Sequence, residues 1–95
     1  STAYCDDDRE GAVRAFGDAA ALLARAGDPF AECGNLLRLA AVLVDLGRLD
    51  EAEAVFIRAN ARGEAVGDAV GVRVGRGHLA TVRHLQGRAE EAIAL

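Results

Sequence analysis

Residues 27–66 read GDPFAECGNLLRLAAVLVDLGRLDEAEAVFIRANARGEAV, and this stretch decides the fold. Leu36, Leu39, Ala40, Leu43 and Leu46 fall at steps of three and four, which places them on one face of a helix. Asp28 is suited to cap that helix and Pro29 to occupy its first position, where the missing N–H costs nothing. Gly47 follows the last periodic residue and can take the left-handed conformation that ends a helix. From about Leu49 to Val66 a second helix carries Ala52, Val55, Phe56 and Ala59 on one face, and Gly67 stops it. The unit is helix, glycine turn, helix, Gly-Asp.

Outward from this unit the chain repeats itself at a spacing of 40. Gly27-Asp28, Leu39-Ala40, Val42, Gly47-Arg48, Glu51-Ala52 and Ala54 recur as Gly67-Asp68, Leu79-Ala80, Val82, Gly87-Arg88, Glu91-Ala92 and Ala94. That is 10 identities over the 29 positions from 27 to 55, where chance gives roughly three, so the periodicity is read before anything else. The offset also works backwards: Ala12, Phe16, Ala19 and Ala21 precede Ala52, Phe56, Ala59 and Ala61. The register divides the chain into a partial unit at 1–26, a full unit at 27–66 and a partial unit at 67–95. It predicts helical pieces at 1–6, 9–26, 28–46, 49–66, 68–86 and 89–95, with turns near Asp7 and Gly87. Over 70–77 the alternation of Val70, Val72 and Val74 makes a strand the competing assignment.

The residues of the full unit resemble the tetratricopeptide repeat. Gly47, Leu49, Ala52, Phe56 and Ala59 match the turn glycine and the second-helix pattern of that family, and Leu36, Leu39, Ala40 and Leu43 stand at its first-helix positions. In the third unit Leu79, Ala80, Gly87 and Ala92 match, whereas Arg76 and Arg83 replace two large apolar residues; in the first, Asp7 replaces the turn glycine. The longer period is similar to that of arrays in large bacterial regulators and in kinesin-light-chain-like proteins. The resemblance implies an all-α chain of antiparallel helix pairs stacked in a right-handed superhelix. It also implies a non-catalytic scaffold for protein–protein interaction, as a regulatory or sensor segment of a larger protein. The first helices of the pairs would line a partner-binding groove through Gly34, Leu37, Ala41, Val44 and Asp45, then Val74, Gly77, Thr81, His84 and Leu85. Such a small, apolar lining suits an apolar or helical segment of a protein or peptide partner. Long first helices that pack deeply and leave no open groove are the alternative. A self-association module forming a homodimer, and a small-molecule-sensing pocket inside the superhelix, are the other functions the sequence allows.

Composition narrows the field further. The 95 residues suffice for one small domain. With 11 basic against 15 acidic residues the net charge is −4, and the arginines are scattered, so a nucleic-acid partner is not expected. No apolar run approaches the roughly 20 residues of a membrane span, and the polar, acidic opening does not read as a signal peptide. Two cysteines without a framework pattern fit the cytoplasm. Cys5 and Cys33 stand about 18 Å apart along the helices in this register, too far for a disulfide. His78 and His84, six residues apart, lie on different sides of one helix, so no metal site is expected. Asp6, Asp7 and Asp8 read as a solvated turn, since a calcium loop alternates its oxygens. Glu51, Glu53, Glu90 and Glu91 begin second helices, where carboxylates favour the positive end of the dipole. Gly71, Gly75 and Gly77 with Arg73 and Arg76 match neither the dinucleotide fingerprint nor the phosphate loop. No cofactor is expected, and no nucleophile–base pair marks an enzyme.

Overall fold

In the computed structural model, residues 3–94 are described, with side chains from Asp8 to Glu90. Among them are four helices and no strand: α1 (Ala3–Ala26), α2 (Pro29–Asp45), α3 (Leu49–Ala65) and α4 (Ala69–Ala94). Three turns join the helices, and all three have one construction. Gly27, Gly47 and Gly67 take φ of 75°, 76° and 72°. The next amide reaches back to the carbonyl five residues earlier: Asp28 N to Leu23 O at 2.9 Å, Arg48 N to Leu43 O at 2.9 Å, Asp68 N to Gly63 O at 2.8 Å. The glycine amides themselves bond to Ala24, Val44 and Glu64. This is the Schellman closure, which satisfies carbonyls left open at a helix end. Asp28 and Asp68 then cap the following helices, accepting from the Ala31 and Gly71 amides at 3.1 and 2.9 Å. Pro29 sits in the first turn of α2, as the sequence predicts.

Helix α2 packs between α1 and α3, and α3 between α2 and α4. Helices α2 and α4 also touch directly, whereas among the described residues no such contact joins α1 and α3. The core lies where these helices meet: Leu36, Ala40 and Leu43 of α2, Ala52, Phe56 and Ala59 of α3, and Leu79 and Val82 of α4. Ala40, Ala52 and Ala59 are fully buried. Having no side-chain entropy to lose, they let helix backbones approach closely around the single large ring of Phe56.

Two expected turns are not formed. Helix α1 runs through Asp7, so the expected break between 1–6 and 9–26 is absent and the Asp6–Asp8 run belongs to a helix. The closure needs a residue in the left-handed region, which costs an L-residue about 1–2 kcal/mol, and position 7 has no glycine. Helix α4 likewise runs through Gly87, joining the pieces predicted at 68–86 and 89–95. Here the glycine is present, but it takes no positive φ, and the helix continues through it with its hydrogen bonds. The strand alternative at 70–77 is also resolved as helix. Gly75 serves close packing there, since a Cβ on it would overlap the Asn60 amide oxygen and lie 3.3 Å from Leu37 Cδ2.

Candidate partner-binding groove

The side of the stack formed by α2 and α4 carries a cavity of about 170 Å³. Its floor is the buried ring of Phe56 and the buried Val82. Ala41, Val44 and Asp45 form the α2 wall; His78 and Thr81 form the α4 wall. His78 lies nearly parallel to Phe56, with ring centroids 5.6 Å apart and planes 10° apart, an arrangement of the kind that aromatic pairs favour when offset. The Thr81 hydroxyl donates to the Gly77 carbonyl at 3.2 Å, leaving its oxygen as an acceptor.

Of the sequence-derived groove positions, the structure brings Ala41, Val44, Asp45 and Thr81 together around this cavity. Gly34, half-buried, lies outside it; Leu37 is half-buried and packs on the core, over Gly75. Val74, Gly77 and His84 are exposed on α4 without lining the cavity, and Leu85 is half-buried. Sequence reasoning did not place Phe56, His78 or Val82 in the site. His78 was findable: it lies three residues before Thr81 and four after Val74, and so shares their side of the helix. In the sequence Phe56 reads as part of the second helix's apolar face, and in the structure its buried ring also floors the cavity.

A second polar feature also escaped the sequence reading. Glu32 in the first turn of α2 is 1% exposed, and its Oε2 receives Arg58 Nη2 and Arg62 Nε of α3, each at 3.3 Å. Arg58 and Arg62 are four residues apart, the spacing that lets two α3 side chains converge on one point. Beside Glu32 the buried Cys33 thiol donates to the Ala59 carbonyl at 3.3 Å. Burial, then the charges of Asp68 and Glu32, push the thiol above its ordinary pKa. Cys33 is thus a protonated, space-filling thiol, not a nucleophile. Its pairing with Cys5 involves a side chain outside those described. Arg76 and Arg83 turn back to α3, meeting Glu64 at 2.9 Å and Glu53 at 3.2 Å.

Among the described residues no group of three His, Cys, Asp or Glu side chains is placed to hold a metal ion. No helix among them is long and apolar enough to cross a membrane. Helix hairpins closed by identical glycine turns, with a groove between alternate helices, define a helical-repeat interaction module. A family model described as tetratricopeptide repeat matches residues 32–95, and the chain belongs to that family. No curated protein and no solved structure matches it. Repeats of this family are generally non-catalytic modules that bind protein partners, and protein–protein interaction is the general role of this chain.

Proposed function

We propose that the α2–α4 groove is the surface through which this chain engages its partner, by receiving an apolar, helical segment of another protein. The cavity carries this reading: a largely apolar floor of Phe56 and Val82, open between two helices and rimmed by small side chains at Ala41 and Thr81. Its size supports a side chain over a free metabolite, since small-molecule sites run to about 300–1,000 Å³. The family's long-helix arrays suggest the setting, a regulatory or sensor segment of a larger cytoplasmic protein.

Displayed libraries of 16-residue helical peptides, selected on the immobilised chain, test this. Binders that are lost on Ala41→Glu and on Thr81→Glu, but kept on Ile57→Glu of the outward α3 face, support the groove. Binders indifferent to Ala41→Glu and lost on Ile57→Glu refute it. Light scattering across a concentration series shows whether a second copy is the occupant instead: a dimer abolished by Ala41→Glu would replace the foreign partner with self-association. Leu37 is a poor probe for this purpose, because it packs against the core and its loss mixes folding with binding.

A further inference from the structure

Resting on the groove reading above, the chemistry of the partner can be narrowed by two observations at the same end of the cavity. The first is volume. A cavity of about 170 Å³ is close to the size of an engineered cavity, about 150 Å³, that holds a benzene ring. It accommodates one branched aliphatic side chain, beside the exposed His78 ring stacked on Phe56.

The second is an unfavourable charge. Asp45 lines the cavity and is the last residue of α2, where the helix presents its negative end. No basic residue occupies the last turn of α2. Among the described residues, the six ion pairs engage Glu10, Glu32, Glu51, Glu53 and Glu64, and none engages Asp45. Asp45 is exposed, so its carboxylate is held in water at a helix end that repels it, at the lip of an apolar cavity. A cation placed there gains from the carboxylate and from the helix end together.

We propose that the groove recognises an amphipathic helix bearing a paired motif: a leucine, isoleucine or valine that enters the cavity, and a lysine or arginine one turn away that meets Asp45. Residues three or four apart on a helix stand about 5–6 Å apart, so one helix face can present an aliphatic side chain and a cation to neighbouring lining residues of the same cavity. The net charge of −4 adds a general bias toward a basic partner.

Reselection of the peptide library on the Asp45→Lys chain is the test, with circular dichroism confirming that both chains are folded. On the wild-type chain the binders should be enriched in an aliphatic residue with Lys or Arg three or four positions away. Glu in place of that basic residue should weaken binding about tenfold, and Asp45→Asn should remove most of that difference. On Asp45→Lys the enrichment should turn to aliphatic–acidic pairs. Groove-dependent binders with an aliphatic residue but no charge preference, or an unchanged preference on Asp45→Lys, would overturn this proposal while leaving the groove intact. Binders insensitive to Ala41→Glu would remove the groove and this proposal with it.

Discussion

Gly47 and Gly87 are matching positions of two repeat units, yet only Gly47 takes a positive φ, 76°. Alanine at the two sites should therefore act in opposite directions. At neither would a Cβ meet another atom within 4 Å, so packing does not enter and the backbone alone decides. At Gly47 the left-handed conformation costs an alanine about 1–2 kcal/mol, partly offset by about 0.4–1 kcal/mol from the stiffer unfolded chain. The net is a loss of about 1 kcal/mol. At Gly87, inside α4, alanine gains about 0.8–1.0 kcal/mol of helix propensity. The two variants should differ by about 2 kcal/mol, and in a domain this size each kcal/mol moves Tm by about 4–8 °C. Thermal and urea unfolding followed by circular dichroism should place Gly87→Ala above the wild type and Gly47→Ala below it, with Tm values about 10 °C apart. Equal destabilisation by both would refute the reasoning, because Gly87 would then be a turn and α4 would end there.

Other perturbations probe the remaining features. Arg58→Ala with Arg62→Ala leaves the Glu32 carboxylate buried without a partner and should cost about 2–3 kcal/mol, less than a wholly buried pair because both guanidiniums are half-exposed. Glu32→Leu, which removes the charge and fills the space, should stay within about 1 kcal/mol of the wild type in the same urea titration. The Cys33 thiol has a folded pKa above its unfolded one, so its contribution to stability is complete below about pH 9 and is lost as pH rises through the folded value. Above about pH 9 the stability read from unfolding curves should fall more steeply for the wild type than for Cys33→Ala, and equal slopes would contradict the buried-thiol account. Asp45→Asn relieves the repulsion at the end of α2 and should stabilise the chain by about 0.3–1 kcal/mol, read as a rise in Tm. A fall in Tm would mean that the carboxylate has a stabilising partner.

The hairpin of α2 and α3 was legible because every level agrees there. Asp28 and Pro29 start a helix, Gly47 ends it, and Leu36, Ala40, Leu43, Ala52, Phe56 and Ala59 all point to the same interface. The ends were less legible because a glycine at the matching position permits the left-handed closure without requiring it. Gly87 matches Gly47 in the repeat, yet only Gly47 takes a positive φ. The groove was legible only in part. The resemblance to the family's groove positions named Ala41, Val44 and Asp45 on one helix and Thr81 on another, and the structure sets these four around one cavity. It does not tell how deeply two neighbouring helices interlock, which decides that Leu37 seals the core while His78 borders the cavity. Glu32 was invisible for a related reason: a carboxylate in a first turn looks like a solvated one until α3 brings two arginines over it.

The most direct test is backbone amide NMR of the chain titrated with a library-selected helical peptide. The account predicts the largest shift changes at Ala41, Val44, Asp45, His78 and Thr81, with Ile57 and the α1 residues Arg14 and Asp18 unmoved. Changes concentrated on the outward face of α3 or on α1, with Ala41 and Thr81 unmoved, would contradict it.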